Sequence, residues 1–486
     1  MSKSDEIPDL HTTEWVNGVD HAWLRMDSTT NLMVINALVV TDILELGDLL
    51  ALLKKRLLSY PRFSQRPVEH MGVHYWEDDA LFNLEEHVEE IRLSESTKDT
   101  LQACIGKIVS APLDSGKPLW QVKLIQGYDE SSAVFLRVHH SYADGVSLIK
   151  VFDHLTDSTC TERPESRHLP RGHQKAFSGV YPMPFYQRMV DFAWHTAEKT
   201  FKAGVKASEE GLHILRDPSI LGHYAKETVR VIGELSKLSL MPADDLPPLK
   251  PTLGVEKCCA WSEPVPLEQV KLISRVLGGT VNDVLLAVMT GALRDYLIKM
   301  GENVDRKVIH VAVPVNLRPG ENGHESKMLG NQFGMIFVPM PVGMNSPLER
   351  LYQIKHDTVT LKSSPQPVMS FGMLYAAGML PEAIQKNMLN LYGNKVSAVL
   401  SNVPGTKEQR YFAGKPVRQQ MFWVPQTGDV GLGLSMVSYN GHVQFGVVSD
   451  KNLCDQPQLI MDACLESLQE YADLANRIHP VVKAPL

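Results

Sequence analysis

One short segment of the chain carries the residue types of acid–base chemistry. It reads HHSYADG over residues 139–145, so two histidines, an aspartate and a glycine lie close together. A neutral imidazole suits general-base work near pH 7, because the unperturbed pKa of histidine is about 6.5. The candidate base is His140, with His139 in a supporting role and Asp144 and Gly145 as the residues that shape the loop.

The local pattern predicts where this base lies. The run Ser132–His140 (SAVFLRVHH) is typical of a strand, and Gly145–Leu155 is typical of a helix. Alternation along a strand places His139 and His140 on opposite faces. We therefore expect His140 at the end of a rigid strand and at the mouth of a cavity. Asp144 lies past the turn, where it can stabilise the loop or a neighbouring cation.

A base in this position suits the attack of an alcohol on a thioester. A hydroxyl group has a high pKa and must lose its proton as it attacks, so it needs a base. A thioester already has a good leaving group, so the reaction requires no covalent serine intermediate. The same imidazole can then return the proton to the departing thiolate.

A pair of adjacent histidines in a strand is often purely structural, with one ring buried and the other exposed. A metal site would need a third ligand at a helpful spacing, and the sequence offers none. A Ser–His–Asp hydrolase would need a nucleophile turn such as GxSxG, which is also missing. The pattern HHxxxDG fixes four positions, so a chance match in a chain of this length is roughly one in a thousand.

The elements around the motif alternate between strand-like and helix-like segments, which predicts an α/β fold. The predicted domains are an N-terminal domain over residues 1–160, a linker over 161–254 and a C-terminal domain over 255–486. Within the linker, Pro184–Leu240 is predicted to be helical because apolar residues recur every four positions. Polar, proline-containing stretches on both sides of this zone favour its separation from the two domains.

Three local signals are specific enough to predict single features. The pair Asn440-Gly441 lies between two β-rich runs and favours a hairpin with a type I′ turn. Thr280 and Asp283 have the spacing of a variant capping box, which predicts that a helix starts at Val281. The segment Pro118-Leu119-Trp120 is predicted to pack in the core at the start of a strand.

Composition limits the classes of function. The chain has 486 residues, a net charge of −8 and 44% hydrophobic residues, which is typical of a globular protein and disfavours a nucleic-acid partner. The N-terminus lacks the apolar region of a secretory signal, and no window holds about 18 uninterrupted apolar residues. The six cysteines lack metal-ligand spacing and are expected to be reduced thiols in a cytoplasmic protein.

The HHxxxDG pattern resembles that of a superfamily that includes chloramphenicol acetyltransferase, carnitine acyltransferases and peptide-synthetase condensation domains. More specifically, the chain resembles the bacterial wax ester synthase/diacylglycerol acyltransferase family from about Val19 to Ala475. Further segments match this family in order and spacing: Pro118-Leu119-Trp120, Val281-Asn282-Asp283-Val284, Ser401-Asn402-Val403-Pro404-Gly405 and Ser438-Tyr439-Asn440-Gly441.

The resemblance implies a fold and a set of site residues. The implied fold has two chloramphenicol-acetyltransferase-like α/β domains joined by a helical linker, with the active-site tunnel between them. His140 would be the base, and Asp144 would form a structural ion pair with an arginine. Asn282 would lie near the cleft, where its amide could donate to the developing oxyanion or hold the acceptor. Four arginines are open as partners of Asp144: Arg25, Arg62, Arg66 and Arg318.

The resemblance also implies the reaction and its partners. The chain would transfer a fatty acyl group from acyl-CoA, as co-substrate and without a cofactor, to a fatty alcohol or diacylglycerol. Asn31 stands where a proline is frequent in the family, which leaves acyl-chain and alcohol preference open. One rival is acylation of another small alcohol or amine, and another is a catalytically silent lipid-droplet scaffold. The expected location is cytoplasmic, with peripheral association with membranes or lipid droplets.

Overall fold

The structure is a computed structural model that describes residues 14–70, 72–160, 244, 246–318, 329–379, 385, 393 and 395–479. The described helices are α1 (Gly18–Met26), α2 (Leu46–Arg56), α3 (Lys98–Ser110), α4 (Gly145–Leu155), α5 (Leu267–Leu277), α6 (Val281–Lys299), α7 (Pro347–Lys362), α8 (Gln366–Met379) and α9 (Gln458–Ile478). Short 3₁₀ turns cover Leu57–Ser59, Pro61–Ser64, Leu84–His87 and Pro247–Leu249.

The strands of the N-terminal half are β1 (Glu14–Trp15), β2 (Val34–Asp42), β3 (Gln65–His70), β4 (Val73–Asp78), β5 (Val88–Arg92), β6 (Trp120–Tyr128), β7 (Ser131–His139) and β8 (Thr156–Asp157). Those of the C-terminal half are β9 (Lys257–Trp261), β10 (Val265–Pro266), β11 (Ile309–Asn316), β12 (Phe333–Met340), β13 (Ala398–Pro404), β14 (Tyr411–Phe412), β15 (Lys415–Trp423), β16 (Leu432–Tyr439) and β17 (His442–Asp450).

These strands form two large sheets and one small one in the described part of the chain. The first sheet has the order β5-β6-β7-β2-β15-β14-β8, and the second has the order β10-β17-β16-β13-β11-β12 with β9 beside β17. A three-stranded sheet, β1-β4-β3, lies apart from both. The predicted α/β class with two sheet-rich halves is therefore confirmed.

One segment of the C-terminal half completes the sheet of the N-terminal half. Strand β15 pairs antiparallel with β2 from Val417↔Thr41 to Trp423↔Asn36, and β14 pairs with β8. Backbone hydrogen bonds therefore join the two halves directly, which a division by residue number does not anticipate. The three-domain division stays a prediction, and its helical zone Pro184–Leu240 lies outside the described residues.

The local sequence signals explain the elements that they predicted. Asn440 and Gly441 both have positive φ, 45° and 76°, as a type I′ turn between β16 and β17 requires. Thr280 accepts a hydrogen bond from the amide of Asp283, whose side chain accepts one from the amide of Thr280. Trp120 is fully buried where β6 begins. The predicted hairpin, helix start and core segment are thus confirmed.

Helix α1 is held against α8 by a close backbone approach. A Cβ on Gly378 would lie 1.7 Å from the carbonyl oxygen of Gly18, so only glycine fits at this crossing. His21 adds a hydrogen bond of 2.7 Å from Nδ1 to the carbonyl oxygen of Gly378. This crossing fixes the helix that carries Asp20 and Trp23, two residues of the candidate site.

No single helix among the described residues is long and apolar enough to cross a membrane. Helices α5 and α6 pass that test only together, and they meet at a bend of 97°. Much of α6 is buried in the core of the C-terminal half, together with α9 and the second sheet.

Candidate active site

His140 follows directly on β7, at the edge where the first sheet meets the C-terminal half. Its backbone N–H donates to the carbonyl oxygen of Met33, one residue before β2, at 2.7 Å. The preceding residue His139 pairs with Val34. Because side chains alternate along this pair of strands, we expect His139 and His140 on opposite faces of the sheet.

The imidazole of His140 is enclosed by aromatic rings. Trp23 stacks on it, with 4.2 Å between ring centroids and 17° between planes, and Phe333 lies 5.6 Å away. Burial lowers the pKa of His140 to about 4, because desolvation outweighs the opposing field of Asp144. The imidazole is therefore neutral at pH 7, which is the protonation state that a general base needs.

The two ring nitrogens of His140 have different surroundings. Nδ1 is buried without a hydrogen-bond partner of normal geometry among the described residues. The backbone carbonyl of His140 and the side chain of Asn331 both raise the pKa of the ring, but by less than burial lowers it. Because Nδ1 is the buried nitrogen, Nε2 is the nitrogen that we expect to accept a proton from a substrate.

His139 is part of a separate local hydrogen-bond pattern. Its Nδ1 accepts from the backbone N–H of Ser141 at 3.2 Å and lies 2.8 Å from the hydroxyl of the same residue. Burial lowers the pKa of His139 to about 3. The hydroxyl of Ser141 is thus engaged with His139 and is not presented to His140 as a nucleophile.

Asp144 joins the motif loop to the C-terminal half. Its Oδ1 accepts from the backbone N–H of Ser147 at 2.9 Å, which caps α4. Its Oδ2 forms an ion pair of 2.8 Å with Nη1 of Arg318 and accepts from the backbone N–H of Gln332 at 3.0 Å. This geometry holds the loop in place and agrees with the expected structural role of the carboxylate.

Arg318 is thus the partner of Asp144 among the four arginines that the sequence left open. The other three have different contacts. Arg25 donates to the carbonyl oxygen of Gly72, Arg62 pairs with Glu14 over the ring of Trp76, and Arg66 donates to the carbonyl oxygen of Gly116.

Gly145 begins α4 and has space beside it. A Cβ at this position would lie 4.0 Å from Cγ2 of Val403 and would meet no closer atom. Val403 belongs to β13, which carries the segment Ser401–Gly405 singled out in the sequence. The motif glycine therefore lies against the second sheet at ordinary contact distance, and steric crowding does not explain it.

Asn282 is half-buried at the start of α6, and no hydrogen bond joins its side chain to His140 in the described part of the chain. Its Oδ1 accepts from Nδ2 of Asn402, on β13, at 2.6 Å. This hydrogen bond turns the amide nitrogen of Asn282 away from Asn402, so the nitrogen keeps its donors for another group. The neighbouring Asp283 is occupied by the helix cap and by the hydroxyl of Thr358 at 2.9 Å.

Sequence reasoning missed three residues around the base, namely Trp23, Asn331 and Phe333. Trp23 lies within the stretch that resembles the family, but no pattern in the sequence places it on the imidazole. Asn331 carried no signal at all. Its Nδ2 donates to the carbonyl oxygen of His140 and to Oδ1 of Asp20, both at 2.7 Å. Both contacts join residues that are far apart in the chain.

The described residues contain no group of three or more histidine, cysteine or acidic side chains that could hold a metal ion. All six cysteines are free thiols. Burial raises the pKa of five of them, Cys104, Cys258, Cys259, Cys454 and Cys464, so these are poor nucleophiles near pH 7.

Two family models match the chain. The wax ester synthase/diacylglycerol acyltransferase catalytic domain covers residues 16–285, which is more than half of the chain, and the WS/DGAT C-terminal domain covers 329–472. A relative from Mycobacterium tuberculosis, described as a probable diacylglycerol O-acyltransferase, is 27% identical over 412 residues, which is 82% of each chain.

Solved structures share the fold at lower identity. The wax ester synthase/diacylglycerol acyltransferase from Marinobacter aquaeolei superposes with a TM-score of 0.65 at 20% identity, covering 95% of this chain and all of its own. The starter condensation domain of rhizomide synthetase, solved with C8-CoA, superposes with a TM-score of 0.56 at 11% identity, covering 98% of this chain and 97% of its own.

Proposed function

The chain belongs to the wax ester synthase/diacylglycerol acyltransferase family of acyl-CoA-dependent O-acyltransferases, and we propose that His140 is the general base of this transfer. The proposed acyl donor is a fatty acyl-CoA. The proposed acceptor is a fatty alcohol, which gives a wax ester, or diacylglycerol, which gives triacylglycerol.

One observation carries the assignment of the base. His140 is a neutral imidazole, packed against the rings of Trp23 and Phe333, whose Nδ1 is the enclosed nitrogen. A ring held in this way has few orientations open to it, so it can meet a substrate hydroxyl with little loss of entropy. His139 is on the other face of the sheet and takes no direct part.

The proposed reaction is a single transfer between two bound substrates. Nε2 of His140 takes the proton of the acceptor hydroxyl while the hydroxyl oxygen attacks the thioester carbonyl. A tetrahedral oxyanion forms, and the amide nitrogen of Asn282 is proposed to donate to it or to the acceptor. The C–S bond then breaks, the ester is released, and the imidazolium returns its proton to the CoA thiolate.

Product analysis with one radiolabelled fatty acyl-CoA tests the proposal. The purified enzyme is offered a panel of long-chain alcohols, diacylglycerols and small alcohols or amines, with the His140→Ala variant as the matched control. We expect labelled wax ester or triacylglycerol from the native enzyme only. Labelled product from small acceptors alone would favour the rival acceptor class. The absence of every labelled product with a folded enzyme would favour a silent scaffold.

We also propose that the protein associates peripherally with membranes or lipid droplets and is made in the cytoplasm. The proposed products are insoluble in water, so the site must release them near a lipid phase. The predicted helical zone Pro184–Leu240 supports this idea by its sequence alone, because Lys199, Lys202 and Lys206 flank an apolar stripe.

Flotation with lipid vesicles tests this association. Part of the protein should float with vesicles that contain anionic lipid, and high salt should release the portion held by the lysines. Replacing Lys199, Lys202 and Lys206 by glutamine should reduce binding to anionic vesicles while turnover of a dispersed substrate stays unchanged. Protein that never floats, or that resists both salt and alkaline washing, would contradict the proposal.

A further inference from the structure

Two consecutive residues of the C-terminal half reach the motif loop of the N-terminal half. The side chain of Asn331 donates through Nδ2 to the backbone carbonyl oxygen of His140 at 2.7 Å. The next residue, Gln332, donates its backbone N–H to Asp144 at 3.0 Å. The contact of Gln332 restrains the loop, whereas that of Asn331 binds the backbone carbonyl of the candidate base itself.

Asn331 is in turn held by Asp20 on α1. The second hydrogen of its amide is directed to Oδ1 of Asp20 at 2.7 Å. The other carboxylate oxygen, Oδ2, accepts from Nδ2 of Asn17 at 2.5 Å. Asp20 and Asn331 are 4% and 5% exposed, so water does not compete for these hydrogen bonds. The amide of Asn331 has both of its donors engaged and cannot turn freely.

The same helix contacts the base in a second way. Trp23 lies three residues after Asp20, which places both side chains on one face of α1. Trp23 stacks on the imidazole of His140, while Asp20 acts on its peptide through Asn331. The backbone N–H of His140 is already bound to the carbonyl oxygen of Met33. His140 is therefore restrained at its backbone N–H, at its backbone carbonyl and on one face of its imidazole ring.

We propose that Asn331, held by Asp20, is a positioning residue that fixes the peptide of His140 and so the direction in which Nε2 meets the substrate. The side-chain amide of Asn331 does not touch the reacting atoms. Its contribution is to keep the base aligned during turnover. This inference rests on the proposed function, because it assumes that His140 is the base.

The cost of burying Asp20 supports this role. Desolvation raises the pKa of Asp20 to about 7, although Asn331, Arg62 and Asn17 each lower it and Asp144 raises it further. No cation lies within salt-bridge distance of Asp20 among the described residues. Burying a carboxyl of this kind costs free energy of folding. Asp20 is hydrogen-bonded to Asn331, whose amide binds the backbone of the base.

The first test removes the amide. In Asn331→Ala, kcat should fall at least about 10-fold while KM for acyl-CoA changes less than about 3-fold, because the substrate still binds but the base is misaligned. The control is Asn345→Ala, which removes an exposed asparagine whose Oδ1 accepts from Arg294 and which has no part in this network. The control should keep the native kcat.

The second test first breaks and then restores the hydrogen bond between positions 17 and 20. In Asp20→Asn alone, the new amide can accept from Asn331, but its NH₂ group meets the NH₂ group of Asn17. We expect kcat to fall about 5-fold, because the network is only partly kept. The double variant Asn17→Asp/Asp20→Asn restores a donor–acceptor pair between positions 17 and 20, so kcat should recover to within about 2-fold of the native value.

The Asp20→Asn variant separates positioning from general stability. At pH 8 it should melt at a higher temperature than the native protein, because it buries no charge, and yet have a lower kcat. A role limited to stability would instead make kcat and melting temperature change together.

The outcomes distinguish this inference from the proposed function. An inactive His140→Ala variant together with native kcat in a folded Asn331→Ala variant would overturn the positioning role alone. A failure of the double variant to exceed Asp20→Asn in kcat would also overturn it. Full activity of a folded His140→Ala variant would overturn the proposed function itself. Should Asn331→Ala not fold, the comparison of the single and double variants at positions 17 and 20 decides the question.

Discussion

Two buried aspartates belong to the surroundings of the base, and their side chains are bound by different kinds of group. Asp144, at the start of α4, pairs with the guanidinium of Arg318 and caps the helix. Asp20, on α1, is bonded to neutral amides only, and burial raises its pKa to about 7. The carboxylate of Asp144 stabilises the loop. The carboxyl of Asp20 instead destabilises the fold when it ionises, and it is linked to the base through Asn331.

The largest expected effect is the pH dependence of stability at Asp20. Its pKa is about 7 in the folded state, above the ordinary value of 3.8, so the folded protein holds a proton that the unfolded chain releases. Stability from the neutral form is therefore complete below about pH 4 and is lost as pH rises through 7. The expected loss is up to about 4 kcal/mol.

Urea unfolding of the native protein and of Asp20→Asn at pH 5 and pH 8.5 measures this effect. The free energy of unfolding of the variant should rise relative to that of the native protein as pH increases, because the two proteins differ only in the side chain at position 20. If the free energies of unfolding of the two proteins changed in parallel with pH, the pKa of Asp20 would not be raised by folding. The contrast with Asp144 would then be lost.

The next largest effect is expected at the base. His140→Ala should lower kcat at least about 100-fold, equivalent to about 2.7 kcal/mol of activation free energy, with the fold intact. His139→Ala should lower it less, because that ring lies on the opposite face of the sheet. Steady-state kinetics and circular dichroism of both variants check this, and equal losses would contradict the assignment of roles.

Loss of the charge on Asp144 should mainly lower stability. Asp144→Asn breaks the pair with Arg318, whose side chain is 18% exposed and keeps its bonds to Ser147 and Gly330. We therefore expect a loss of about 2 kcal/mol in the free energy of unfolding, below the range for fully buried pairs.

The matched control is Asp283→Asn, which changes an aspartate that is also buried near a helix start but binds only neutral donors. It should cost about 1 kcal/mol. Abolished turnover of Asp144→Asn at an unchanged melting temperature would instead assign Asp144 to the chemistry.

For the last prediction, we expect that the mass of the enzyme does not change. Enzyme incubated with acyl-CoA alone should carry no acyl group, because Ser141 is bonded to His139 and burial raises the pKa of five of the six thiols. Intact-protein mass spectrometry measures this directly. A stoichiometric adduct on Ser141 or on a cysteine would show a covalent mechanism.

Features governed by neighbours in sequence were predictable. Helix α4 spans the predicted residues Gly145–Leu155, and the turn at Asn440-Gly441 has the required positive φ angles. The cap formed by Thr280 and Asp283 also follows from a spacing of three residues. In each case, the interacting groups lie within a few residues of each other, so a short pattern specifies the geometry.

Contacts between distant residues were not predictable in the same way. Four arginines were equal candidates for Asp144 until the fold brought Arg318 to it across 174 positions of the chain. The insertion of β15 beside β2 has no local signal, because an amphipathic strand carries no mark of the sheet that it joins.

The sequence by itself determined that the two histidines lie at the end of a strand and that a helix follows at Gly145. Only the tertiary structure decided that Trp23 covers the imidazole and that Asn331 and Asp20 hold its peptide. The physical reason is that strand alternation and helix capping are set by local backbone geometry. The surroundings of a buried ring are instead set by which distant segments pack against it.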